Sequence, residues 1–189
     1  MDKKQEILLA AEQAFLKYGI KKITLSDIAQ ACGMKKTALY YYFKNKESII
    51  REMLELKFSK INQEVLSEVE SVDSVQEKLR KFMHSKILLM RDHLRLMKLF
   101  DDESLSLRNK KFMDAQREQV MGQDFCLIRQ ILEKGIKNHK VSYEVNDSLV
   151  LMILGVTYGS FIGKFIEDAN WNIDEMVATT IDVIFKGIE

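Results

Sequence analysis

An all-α fold is what this sequence predicts, and three observations carry the prediction. The 189 residues contain no proline, against about 5% in ordinary soluble chains. That removes the strongest helix breaker and the residue that marks turns in strand-rich folds. Apolar side chains recur at steps of three and four along most of the chain, the spacing of one helix face. Hydrophobic residues make up 47% and the net charge is only +1, which gives ample apolar surface for a core and excludes a disordered chain. At about 150 residues per domain the length allows one compact domain, or one plus a small module.

Taken in order, Ile7, Leu8, Ala11, Ala14, Phe15 and Tyr18 share the inner face of a first helix, and Gly19 stands where a left-handed C-terminal cap would. Thr24-Leu-Ser-Asp27 fits a capping-box variant that starts a second, short helix with Leu25, Ile28, Ala29 and Cys32 inward. Gly33 supplies the left-handed turn that a β-carbon disfavours, and Met34 plugs that turn into the core. A third helix runs from about Lys35 to Phe43, with Asn45 as the N-cap of the next. Ile50, Leu54, Phe58, Ile61, Val65, Val69 and Val72 then mark one long helix. Met83, Ile87, Met90, Leu94 and Met97 form a further stripe, flanked by Leu89, His93, Leu96 and Phe100. A helix from near Ser104 contributes Phe112, Met113, Met121, Phe125, Ile128 and Leu132. Leu149 to Ile166 forms the next helix, and Asn172-x-x-Glu175 caps a last one bearing Ile173, Met176, Val177, Ile181, Ile184, Phe185 and Ile188.

Charge is distributed unevenly along this plan. Residues 1–60 hold 12 Lys+Arg against 7 Asp+Glu, and the remainder hold 17 against 21. A basic first third on an acidic body fits a polyanion-binding head on a body that binds something else, or like charges clustered on solvated faces. Two short helices joined through a glycine turn within the basic segment outline a helix-turn-helix. With Leu39 and Phe43 inward, the second helix of that pair leaves Lys35, Lys36, Thr37, Ala38, Tyr40 and Tyr41 outward and Tyr42 on the flank. Lysine reaches guanine O6/N7 or phosphate, threonine and alanine meet thymine methyls, and tyrosine hydroxyls reach phosphate oxygens. The competing explanation is an aromatic cluster packed under a neighbouring helix.

These residues carry a family resemblance. Ile7-Leu-Leu-Ala-Ala, Thr24-Leu-Ser-Asp-Ile28-Ala29 and Leu39-Tyr40-Tyr-Tyr-Phe43-Lys-Asn-Lys46-Glu47 resemble the N-terminal domain of the tetracycline-repressor (TetR) family over about the first 50 residues. The family comprises all-helical, dimeric, ligand-released bacterial repressors with a variable C-terminal domain. The resemblance implies phosphate contacts from Thr24, Tyr40, Tyr42 and Lys46, and base-edge contacts from Ser26, Lys36, Ala38 and Tyr41. It also implies a palindromic double-stranded operator. The chain departs from the family pattern at the start of the reading helix, where Lys35 replaces the usual serine and Thr37 the usual glycine. Both substitutions lie on the reading face and bear on which operator is read.

The body carries fewer signals. Flexible methionines line apolar pockets well, so Met90, His93, Met97, Phe100 and Phe125 are candidate ligand contacts. Plain core is the competing explanation for the methionines, and a satisfied half-buried imidazole for His93. Gly155, Gly159 and Gly163 recur every four residues, each costing about 1 kcal/mol against alanine. Close approach of another helix would offset that. With Val177, Ile181 and Ile184 of the last helix they suggest a dimer interface of two helices from each chain, as the resemblance also implies. Packing within one chain, or a ligand on the bare backbone, is the alternative.

No Glu-x-x-His precedes His84, His93 or His139, where Lys81, Met90 and Ile136 stand, and no CxxC, HExxH, GxSxG or P-loop occurs. No catalytic residue, metal or cofactor is expected. Cys32 and Cys126 lie in apolar surroundings and read as small buried hydrophobes of a reducing compartment. The N-terminus has no signal-peptide core, and the longest uncharged run, Ser148 to Gly163, is 16 residues, short of the ~18 of a membrane span. The expectation is a cytoplasmic, homodimeric regulator with no membrane partner. Residues 1–46 would be a three-helix helix-turn-helix DNA-binding domain. A long helix would join it to a helical-bundle ligand-binding and dimerisation domain over 47–189. A small apolar or amphipathic effector would release it from its operator. The rival is a helical small-molecule-binding or adaptor protein without a DNA partner, which leaves the outward Lys/Tyr helix unexplained.

Overall fold

Local capping decides where the first helices begin and end. The structure, a computed structural model, describes residues 2–100, 107–137, 145–159 and 172–188, with helix backbone alone at 90, 92–100, 107–110, 136–137 and 187–188. Helix α1 (Lys3–Tyr18) opens on an Asp2/Gln5 capping box and closes at Gly19, whose φ is 83° and whose N–H donates to Phe15 O at 2.8 Å. Helix α2 (Leu25–Ala31) starts on the Thr24/Asp27 box the sequence announced: the Thr24 N–H donates to Asp27 Oδ2 at 2.8 Å and the Asp27 N–H to Thr24 Oγ1 at 3.3 Å. Gly33 takes φ 64°, the left-handed conformation that glycine adopts without strain, and the Met34 N–H returns to Ala29 O at 2.9 Å. Helix α3 (Lys36–Tyr42) follows at once.

The remaining described helices are α4 (Lys46–Glu70), α5 (Val75–Phe100), α6 (Leu107–Lys137), α7 (Asp147–Gly159) and α8 (Ile173–Ile188). Asn45 caps α4 by accepting the Ser48 N–H at 2.8 Å, and Asn172 caps α8 by accepting the Glu175 N–H at 3.2 Å. Among the described residues every element is a helix.

The chain divides into two compact units, 1–59 with 93–117, and 60–92 with 118–189. The first extends past the boundary at 46 expected from the sequence, because Ile49, Ile50, Met53 and Leu54 of α4 are buried along with Ile7, Phe15, Ile28, Leu39 and Phe43. In the second unit a single apolar core joins Ile61, Val65 and Val69 of α4, Leu79, Phe82 and Met83 of α5, Ile128 and Leu132 of α6, Val150 and Ile153 of α7, and Val177 and Ile181 of α8.

Five side chains differ from the sequence reading. Tyr18 is 52% exposed at the last turn of α1, while Ile20 and Ile23 of the following turn are buried. Val72 lies past the end of α4, in the turn before α5, and is half-buried. Met121 is 45% exposed, on the outer side of α6. Cys126 is exposed, and Cys32 is half-buried at the C-cap of α2, where burial pushes its thiol up. For Val72 the spacing ran past the helix end; for the others it gave the helix, but at a stripe's edge spacing cannot say which residue a neighbour covers.

Two consequences follow for α2. Thr24→Ala removes its cap and should lower stability by about 1 kcal/mol, read as a shifted thermal midpoint. Hydrogen bonds from Thr24 hold the Asp27 carboxyl below the usual carboxylate range. Its contribution is therefore present above that ordinary range and is lost as pH falls through the lowered folded value. Amide exchange in α2 should accelerate in that acid window in the wild type, and Asp27→Asn should abolish the pH dependence.

Candidate nucleic-acid interface

The outward face expected of α3 is present. Leu39 is fully buried and Phe43 nearly so, which turns Lys35, Lys36, Thr37, Ala38, Tyr40 and Tyr41 to solvent, with Tyr42 half-buried on the flank. Tyr41 is 87% exposed, an extreme value for so large a ring and one that a packed aromatic cluster would not give. Its ring meets that of Tyr42 edge-on at 5.2 Å, and the Lys36 ammonium lies 6.0 Å from the Tyr40 ring centroid. The flank tyrosine thus supports the exposed one, and Lys36 lies beside an aromatic face that limits its search. Ser26, on α2, is exposed as well.

Lys35 is the N-cap residue of α3 and makes no side-chain capping bond. A serine there could take an orphan amide; a lysine cannot accept at all. The residue that departs from the family pattern therefore forgoes a cap and leaves a cation at the start of the reading helix.

Two expected phosphate contacts are placed otherwise. The Lys46 ammonium donates to Ile20 O at 2.8 Å and to Ile23 O at 3.0 Å, fastening the α1–α2 turn to the first turn of α4. Two of its three hydrogens are engaged inside the protein, so fastening the fold is the role this geometry gives Lys46. The Thr24 hydroxyl donates to Asp27 Oδ2 at 2.7 Å and accepts the Asp27 N–H, so it is engaged within the capping box rather than held out for phosphate. Sequence reasoning passed over Lys22 and Lys44, both exposed in this unit; their signal was the basic excess of the first third, which names no position.

In the body, Met90, His93, Met97 and Phe100 lie outside the described side chains. Phe125 is half-buried against the core, with the Arg129 guanidinium 5.7 Å from its ring. Gly163 also lies outside the described residues; Gly155 is exposed and Gly159 half-buried, and a Cβ on either would meet nothing within 4 Å among the described residues. Packing within the chain therefore gives no reason for these two glycines there. Val177, Ile181 and Ile184 are corrected in the opposite sense: at 1%, 1% and 5% exposure they belong to the chain's own core and have no surface left for a partner. Leu151, Met152 and Val183, at 55%, 50% and 66%, are the large apolar side chains that α7 and α8 leave open. Among the described residues no three metal-ligating side chains gather, and no helix is long and apolar enough to cross a membrane.

Comparisons with known proteins bear on this arrangement. The family model described as bacterial regulatory proteins, tetR family, matches residues 7–53. The HTH-type transcriptional regulator TtgR of Pseudomonas putida is 40% identical over 50 residues, 26% of this chain and 24% of that protein. The chain thus spans about a quarter of the length of that curated relative. A transcriptional regulator from Cytophaga hutchinsonii has a similar fold over 99% of both chains, with TM-score 0.73 and 26% identity. FadR from Bacillus subtilis, solved in complex with stearoyl-CoA, matches with TM-score 0.69 and 18% identity over 98% of this chain and 99% of that one.

The Lys46 geometry gives a specific expectation. Lys46→Met should lower the stability of the first unit by about 1–3 kcal/mol, as charge-assisted bonds do. DNA affinity should then fall only in step with the fraction unfolded in a thermal melt. A uniform loss of affinity at full helix content would return Lys46 to the phosphate backbone.

Proposed function

Because the chain belongs to the tetR family of bacterial regulatory proteins through its N-terminal domain, we propose that it is a sequence-specific, DNA-binding transcriptional regulator. The observation that carries this is the open face of α3: two lysines, a threonine, an alanine and two tyrosines held outward by the burial of Leu39 and Phe43. The helix enters the major groove of double-stranded DNA. Lys36, Ala38 and Tyr41 address base edges, with Ser26 from α2. Tyr40 and Tyr42 reach phosphate oxygens, and Lys35 and Thr37 complete the reading surface. Lys36 near guanine O6/N7 gives a directional contact, whereas the exposed Lys22 and Lys44 add attraction that is blind to sequence.

The regulator works in the cytoplasm as a homodimeric repressor on a palindromic operator, and a small apolar or amphipathic effector releases it; it binds and lets go rather than catalyses. Stearoyl-CoA, bound in the FadR structure, is a molecule of that chemical kind. The candidate effector contacts remain Met90, His93, Met97, Phe100 and Phe125. Pairing uses the face of α7 on which Leu151, Met152, Gly155 and Gly159 fall, together with Val183 of α8, in place of the buried Val177, Ile181 and Ile184. Effector binding reduces DNA affinity only as far as the effector prefers the released arrangement.

Sequencing the DNA fragments retained by the purified protein tests the central claim. A recurrent palindrome supports it, and retention indifferent to sequence overturns it. On the operator so found, Lys36→Ala should relax preference at one base pair of each half-site, at about 1–3 kcal/mol per lost contact. Operator and random DNA weakened by one common factor would remove Lys36 from the bases. For pairing, a Cβ at Gly155 meets nothing within 4 Å among the described residues, so Gly155→Leu should keep its helix content and sediment as a monomer. A normal dimer would remove Gly155 from the interface.

A further inference from the structure

The second unit encloses one lysine completely. Lys86 on α5 has 0% side-chain exposure and its partner Asp124 on α6 has 6%. The Lys86 ammonium lies 3.0 and 2.8 Å from the two Asp124 oxygens and donates to Asn62 Oδ1 on α4 at 3.1 Å. Tyr158 on α7 donates its hydroxyl to Asp124 Oδ2, and Asn62 Nδ2 donates to Gln123 Oε1 at 2.9 Å. Four helices thus each place a polar side chain in one cluster, within a unit whose core is otherwise largely apolar.

Burial pushes the Lys86 ammonium below the ordinary lysine range, against the attraction of Asp124. Burial, with the Asp124 charge behind it, pushes the Tyr158 hydroxyl above the ordinary tyrosine range, so it stays a donor. A buried pair of this kind is a poor source of stability, since apolar side chains of equal volume often serve as well or better. What it supplies is direction: each bond fixes one helix against another at a single register. Of the four helices, α4 joins through the most easily parted group, a neutral, half-buried amide facing a lysine whose stronger bonds go to Asp124.

We propose that Asn62 and Lys86 form a clasp fixing residues 60–70 of α4 against α5 and α6, with Asn62 a positioning residue whose release is the step through which the body acts on α4. The regulatory half of this rests on the reading of the chain as a DNA-binding regulator; the clasp itself does not.

Hydrogen exchange on the full chain tests it with two variants. Asn62→Ala cuts the α4 bonds to Lys86 and Gln123 and leaves the Lys86–Asp124 pair intact. The quadruple variant Lys86→Met, Asp124→Leu, Tyr158→Phe, Gln123→Ala replaces the polar set by apolar groups and frees Asn62 from the other side. Both should raise exchange in residues 60–70 about tenfold while α8 amides and the thermal midpoint hold. Both should also shift affinity for a DNA fragment selected by the wild-type protein, by the same factor. Equal acceleration in α4 and α8, or none in α4, overturns the clasp. Faster α4 exchange with unchanged DNA affinity in both variants overturns its regulatory role. Failure of the wild type to select any fragment overturns the regulator reading, while the exchange arm still decides the clasp.

Discussion

A helix of seven residues does not hold itself in water: nucleation costs more than so few hydrogen bonds return. Helices α2 and α3 are both seven residues long, and they are the elements that carry the candidate interface. Their existence depends on burial of Ile28, Ala29, Leu39 and Phe43 in the first unit. The capping box at Thr24, the left-handed turn at Gly33 and the Lys46 fastener each remove one local cost of that arrangement. The outward residues of α3 are presented rigidly because the inward ones have no alternative. A reading surface on a self-stable long helix would have needed none of these devices.

The second unit solves a different problem. Its core has apolar side chains from five helices, which would pack in more than one register at similar cost. The Lys86 cluster selects among those registers, because a displaced helix would strand a charge in an apolar interior. Helix α4 contributes to both units, with Ile49 to Phe58 buried in one and Ile61 to Val69 in the other. A directional bond at Asn62 therefore falls just beyond the point where the helix changes membership. A hydrogen bond at that point adds a directional constraint that aliphatic packing alone does not supply.

The fold class and the helix-turn-helix were legible because they rest on local chemistry. The Thr24/Asp27 capping box, the Gly33 turn and the Leu39/Phe43 spacing are decided within three or four residues, and the structure has all of them. What was not legible depends on which neighbour covers a face. Val177, Ile181 and Ile184 have the right periodicity for any apolar contact, and the sequence does not say whether the partner is the same chain or another. Lys46 illustrates the converse. A lysine at the start of a helix beside a basic face suggests an anion, yet the two carbonyls it meets come from residues 26 and 23 positions earlier. The Lys86–Asp124 pair, 38 residues apart, escapes sequence reading for the same reason.

Specificity arithmetic connects the two halves of the chain. A reading helix brings only three or four side chains to base edges, and each good contact discriminates by about 1–3 kcal/mol. Specific sites are bound about 4–10 kcal/mol more tightly than random DNA, so contacts at the weak end of their range leave one short α3 at about 3–4 kcal/mol, the bottom of what a specific site needs. Meanwhile the basic excess of the first third attracts every sequence alike and raises the background against which those contacts work. Two heads on a palindrome double the base contacts, and the linkage between them turns the second engagement into an intramolecular one. If pairing uses the open glycines and exposed apolar side chains of α7, as proposed, those residues serve the same end as the tyrosines of α3. Without pairing, the exposed face of α3 would bind DNA but choose poorly.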